Sequence, residues 1–255
     1  MAESAQSGLV QAAQVAREAT VRQAPNGVRY AAYGANEIGD KDLERMVQAV
    51  PSAIAAALTR KAYYFVPLAM GEGRDEPRAG GEEMMVASAY TTELSDRAIC
   101  HRNLDLGSGE GVFISTRLLG DRFALAFEFF INIGHAFVDG AGVPESFSEL
   151  VWGQAMGDVR GETSQDAWES RNLALAAGKK RVDEKAKSGF LESAFSDAVA
   201  IYLLSLSIDF DYAELREREY LLLAPQALAE RLRHVAGLFP PNPGYEFAVR
   251  YRRRG

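Results

Sequence analysis

The chain has 255 residues, 47% hydrophobic and 25% charged, enough for one large domain or two small ones with a sizeable core. Its 28 Lys and Arg against 35 Asp and Glu give a formal charge of -7. That balance disfavours a general affinity for nucleic acid or an anionic membrane, because phosphate binding needs a basic surface. A single cysteine, Cys100, excludes an intrachain disulfide, and three histidines, His101, His135 and His234, leave few donors for zinc.

In chain order, residues 1–24 read as an Ala/Gln-rich helix ended by the turn "APNG", so 1–27 is expected to be an N-terminal helical arm. Its start lacks the basic and apolar regions of a Sec signal, and no uninterrupted apolar run is long enough to span a membrane. The cytoplasm is the expected compartment, with export lacking a cleaved signal as the alternative. A strand is expected at "VRYAAY" (28–33). A helix follows over "KDLERMVQAV", capped by Asp40 or Asp42, and another is opened by Pro51. "AYYFVPLA" (62–69) is β-rich, and the polar, Gly-rich 71–83 reads as a surface loop. "MMVASAYTT", "DRAICHR" and "EGVFISTR" (110–117) read as further strands.

From Asp121 the pattern turns helical: 121–139, then 146–156, 164–178, 189–206 and 225–237, with a last strand at "YEFAVRY". Strands in the first half and helices in the second argue an α+β fold, with a small mixed or antiparallel sheet and one domain over 28–255. The stretch "FEFFINIGHAFVDGAG" (127–142) is apolar except for Glu128, Asn132, His135 and Asp139. At about 100° per residue these four fall on one stripe, which suggests a buried helix lining a cleft.

Within it, "INIGHAFVDGAG" (131–142) resembles the active-site helix of zincin metallopeptidases of the anthrax-lethal-factor-like group. That helix reads His-Glu-x-Gly-His with a downstream Asp and a small-residue stop. Gly134, His135, Asp139, Ala141 and Gly142 fit the frame, while the first zinc ligand falls on Ile131 and the catalytic glutamate on Asn132. Isoleucine binds no metal and asparagine is no general base. "SAFSDAVAIYL" (193–203) is similar to the helix that supplies the third ligand, with Asp197 on its second acid and Ser193 on the ligand position. "LLLAPQALAERLRHVAGLF" (221–239) is similar to the closing helix. The resemblance implies a zincin-like fold without its zinc chemistry, with no catalytic residue, metal or cofactor. Its cleft, lined by Glu128, Asn132, His135, Asp139, Ser193 and Asp197, would take a protein or peptide partner. A weak metal site of His135, Asp139 and Asp197 is the lesser alternative.

"LDLGSGEG" (104–111) resembles instead the first motif of class I S-adenosylmethionine methyltransferases. That likeness implies cofactor contacts from Asp105, Gly107, Gly109, Gly111 and, on a following strand, Glu128. It requires Leu104–Leu106 in the centre of a parallel sheet and a strand over 122–128. Cys100 and His101, adjacent on an expected strand, point to opposite faces. Trp152 and Trp168 are expected in the core and His234 at the surface.

Overall fold

A computed structural model describes residues 8–71, 84–215 and 220–249. The fold is α+β. The chain divides into two compact units, 1–129 and 130–255.

The first unit holds two sheets. β1 (Leu9–Gln11) leads directly into α1 (Ala12–Glu18), then β2 (Arg22–Gln23) and β3 (Arg29–Ala32). The single helix expected over 1–24 is thus corrected: among the described residues of that stretch the α-helix is confined to Ala12–Glu18. The backbone of Leu9–Gln11 is taken by an antiparallel partner instead, an instance of tertiary pairing overriding propensity. Ala12 and Val15 of α1 are fully buried against Ala31, Ala62, Tyr64 and Phe113. After the "APNG" turn, where Gly27 takes a left-handed φ of 98°, come α2 (Asp40–Gln48) and α3 (Ser52–Ala55). Gly39, not Asp40 or Asp42, stands at the N-cap of α2; both aspartates lie in its first turn, where they complement the helix dipole.

Four of the six residues of β4 (Lys61–Val66) are aromatic or β-branched, and the strand is buried on both faces. Pro67 ends it, and β5 (Leu68–Met70) continues in the other sheet. The loop expected at 71–83 lies, beyond Gly71, outside the described residues. β6 (Met85–Ala87), the one-turn α4 (Thr92–Ser95), β7 (Ala98–Ile99), β8 (His101–Asp105) and β9 (Glu110–Ser115) follow. The four-stranded sheet runs β1-β6-β5-β7 and is antiparallel throughout. The five-stranded sheet runs β2-β3-β4-β9-β8: β3, β4 and β9 are parallel, β2 and β8 antiparallel at the two edges. Ser115 ties the sheets together: its hydroxyl donates to Ile99 O at 2.5 Å and accepts from Ala69 N at 2.7 Å.

The short α5 (Thr116–Leu119) ends at Gly120, φ 69°. α6 (Arg122–Ala141) then starts with the Asp121 carboxylate accepting from Ala124 N at 2.7 Å and stops at Gly142, φ 75°. It runs through the boundary between the units. In the first unit its Phe129 packs on Tyr63 and Phe65 of β4, with ring centroids 5.1 and 5.5 Å apart.

The second unit is helical: the rest of α6, α7 (Glu145–Met156), α8 (Gln165–Ala174), α9 (Glu184–Ser207) and α10 (Pro225–Leu238). α9 is longer than the 189–206 expected, because Asp183 caps it upstream by accepting from Ala186 N at 3.0 Å. Phe137, Phe147, Phe195 and Phe239 form an aromatic cluster on these helices. The last strand is corrected: 245–249 is irregular, and Phe247 packs its ring on Tyr202 at 5.3 Å without a backbone ladder. By length and composition α6 and α9 are each apolar enough to cross a membrane, but 50% and 72% of their most apolar windows are buried.

Candidate functional site

The stripe on α6 is helical throughout, yet its four residues differ in burial. Glu128 is half-buried in the first unit and pairs with His101 of β8, Oε1 to Nδ1 at 2.5 Å. Asn132 is buried; His135 and Asp139 are exposed. Burial along the stripe is therefore set by what packs on each turn and not by helical angle alone. Gly134 is where α6 meets α9: a Cβ there would lie 2.5 Å from the Ser196 carbonyl oxygen.

Asp139 lines a cavity of about 450 Å³ in the second unit, with Glu192 and Ser188 beside it. Asn132, His135, Ser193 and Asp197 are not among that cavity's lining residues. Ser193 is half-buried, and Asp197 is buried elsewhere, accepting from the Thr163 hydroxyl at 2.7 Å. Burial raises its pKa to about 6, against the lowering effects of hydrogen bonds from Ser164 and Thr163 and of the Arg231 charge.

Asp197 adjoins a buried charge network that the sequence did not disclose. Glu162, fully buried, accepts from Arg231 at 2.8 and 3.3 Å and from Arg171 at 2.9 Å. Arg231 Nε also donates to Gln154 at 2.8 Å. Both arginines thus satisfy one carboxylate, the bidentate arrangement that tolerates burial. The network holds the segment around Glu162, which bridges in parallel to Leu222. Its members Gln154, Glu162, Arg171 and Arg231 are scattered along the sequence, and nothing in their spacing announces the meeting.

The zinc that the metallopeptidase likeness implies does not suit this donor set. Ile131 and Asn132 stand at the two positions that carry the chemistry, and the carboxylate of Asp197 is already bonded. Among the described residues no group of three or more His, Cys, Asp or Glu has a geometry that could hold a metal.

The glycines of "LDLGSGEG" serve a hairpin. β8 and β9 are antiparallel, and the turn closes with Leu106 N donating to Gly109 O at 2.8 Å. Gly107 has φ 76° and its N–H donates to the Asp105 carboxylate at 2.8 Å, an Asx turn. A side chain at Gly109 would run into the Arg60 carbonyl. Leu104 thus lies on an antiparallel edge strand and residues 122–128 are helical, so neither local requirement of the methyltransferase reading is met. The glycine spacing arises from tight turn geometry and close strand packing instead.

The face of the five-stranded sheet that meets α6 gathers the polar groups of the first unit. Register sets Phe65, Ile114 and His101 in one row, Tyr63, Val112 and Asn103 in the next, and Lys61, Glu110 and Asp105 in a third. Lys61 and Glu110 are paired at 2.7 Å. The Tyr63 hydroxyl is buried without a hydrogen-bond partner among the described residues, and burial followed by the Glu110 charge moves its pKa well above the usual tyrosine range. His101 and Glu128, 27 residues apart in sequence, are a pair that reading by motif could not find. Trp152 is half-buried with the Lys187 ammonium 4.9 Å above its ring, Trp168 is half-buried, and His234 bonds the Ser146 hydroxyl at 3.0 Å.

No protein-family model, no curated protein and no solved structure matches the chain.

Proposed function

We propose that this chain is a protein-interaction module on a zincin-like domain without metallopeptidase zinc chemistry, and that β8 receives an extended segment of the partner. The observation that carries the reading is the outer edge of β8. Of the strands at the four sheet edges, β1, β7, β2 and β8, it is the longest, at five residues. Ser115 N donates to Cys100 O and Leu106 N to Gly109 O. Antiparallel pairs alternate, so His101, Asn103 and Asp105 turn their N–H and C=O groups away from β9. These three residues are exposed. A row of outward-turned backbone groups is a template for strand addition, and β8 carries no proline to interrupt it. The zincin-like part of the reading is supported by element order: α2 leading into β4, α6 following β9, and α9 and α10 after it.

Hydrogen exchange tests this. With a panel of unstructured peptides of differing charge, at least one should slow exchange at the His101, Asn103 and Asp105 amides while those of β9 stay unchanged. Absence of protection at β8 with every peptide refutes strand addition.

A further inference from the structure

We infer that the segment received by β8 is β8 of a second copy of this chain, paired antiparallel about a two-fold axis at Asn103; this rests on the strand-addition reading. His101, Asn103 and Asp105 stand at the non-hydrogen-bonded positions of the β8–β9 ladder, and their backbone N–H and C=O groups have no hydrogen-bond partner among the described residues. An added strand bonds to that edge in pairs of residues that exchange two N–H···O bonds each. When the added strand is β8 itself, few two-fold registers are open. Centred on Asn103, the pairing sets Asn103 opposite Asn103 and His101 opposite Asp105 at both ends, so every outward residue of both copies enters a bonded pair. Centred one position earlier, it sets Asp105 opposite Ile99, whose own backbone pairs with Ala69 in the other sheet. Centred one position later, it sets His101 opposite Gly107, whose N–H is already given to the Asp105 carboxylate. Either shift leaves one outward residue of each copy poorly paired.

The side chains favour the same register. Directly opposed residues of an antiparallel pair share a face and interact. Centred on Asn103, the pairing sets an imidazole against a carboxylate at each end and an amide against an amide in the middle. On the other face it sets Arg102 opposite Leu104. Like charges are never opposed, and this holds in either protonation state of His101. Centring on Asp105 instead would oppose two carboxylates. The strand "HRNLD" carries its imidazole and guanidinium before Asn103 and its carboxylate after it, the order that an antiparallel copy reverses. A surface that matches itself in this way is the isologous interface of a two-fold dimer. One five-residue strand makes a small interface, so the dimer forms in a concentration-dependent way.

The experiment traps the register with disulfides in the full chain. Cys100 is the only cysteine, so Cys100→Ser clears the background and one thiol is then placed at 101, 103 or 105. Opposed residues of a hydrogen-bonded pair have Cα atoms about 5.5 Å apart, within reach of a disulfide. Position 101 lies roughly 13 Å along the strand from position 101 of the second copy, out of reach, and the same holds for position 105. Under copper–phenanthroline oxidation, Cys100→Ser/Asn103→Cys should give a covalent dimer of doubled mass. Cys100→Ser/His101→Cys and Cys100→Ser/Asp105→Cys should each stay monomeric, while a mixture of the two should give the mixed dimer. In the unaltered chain, exchange at the 101, 103 and 105 amides should slow as protein concentration is raised about a hundredfold, by mass action. Absence of the 103 cross-link in a folded variant overturns self-pairing; where that variant unfolds, concentration-independent exchange in the unaltered chain does so. Cross-linking at 101 or 105 alone as fast as at 103 also overturns it, since it marks chance collision or another register. Strand addition is judged separately by peptide protection of the same amides. A peptide that protects them while self-pairing fails leaves that reading standing with a different partner, and failure of both removes both.

Discussion

Asp197 shows how one carboxylate can set a pH dependence. It is buried, accepts from Thr163, and burial raises its pKa to about 6 from an ordinary 3.8. Between those values the folded protein holds a proton at this site that the unfolded chain releases. Stability contributed by the site is therefore present at low pH and lost as pH rises through about 6. Two pH units correspond to a difference on the order of 3 kcal/mol. Asp197→Asn removes the titration and keeps an acceptor for Thr163. Its stability relative to the unaltered protein, from urea midpoints, should rise steadily between about pH 4 and pH 6 and then level off. A constant difference across that range would contradict a raised pKa. Glu162 differs in kind: two arginines clamp it, and its role is to hold charge and backbone together where water is absent.

Among the elements, α6 and α9 were legible as long apolar helices because their length exceeds any strand; the "DGAG" stop of α6 is a local signal that was read, whereas the Asp183 cap of α9 was not, and its start was placed at 189. The N-terminal helix was misjudged because its fate depended on β6, more than seventy positions away in sequence. The polar stripe of α6 was read as one surface, but sequence periodicity carries no record of which neighbours cover Asn132 and leave His135 open. Gly134 illustrates the same gap. As a mid-helix glycine it should be improved by alanine, by about 1 kcal/mol on propensity. The close approach of the Ser196 backbone reverses the sign, since a Cβ 2.5 Å from a carbonyl oxygen must push two helices apart. Gly134→Ala is expected to destabilise by about 1–3 kcal/mol, the range for overpacking. Gly153, in α7 and exposed with open space around it, is the internal control: Gly153→Ala should stabilise by up to about 1 kcal/mol. Thermal melts of the two variants should move in opposite directions, and a rise for both would refute the tight crossing.

For the whole molecule, the α+β class followed from strands gathering in the first half of the chain and helices in the second, a pattern that survives errors of several residues at element ends. Two sheets in place of one were not legible, because the break at Pro67 reads in sequence as a mild interruption of a single β-rich run. The proposed metallopeptidase likeness has a consequence that can be measured on the chain by itself. Zinc retention needs three protein ligands, and structural or catalytic sites fill them with His, Cys or carboxylate. Here the aligned positions supply Ile131, His135 and Ser193, so only one donor of the three is of the right type. A single histidine leaves too little affinity to retain metal through purification. Protein purified without added metal should thus contain far less than one zinc per chain by elemental analysis. Excess EDTA should leave its melting temperature unchanged, because there is no metal-binding free energy to remove. Stoichiometric zinc lost to EDTA together with a lower melting temperature would identify a ligand set outside the aligned frame. His135→Ala would then show whether this helix belongs to it.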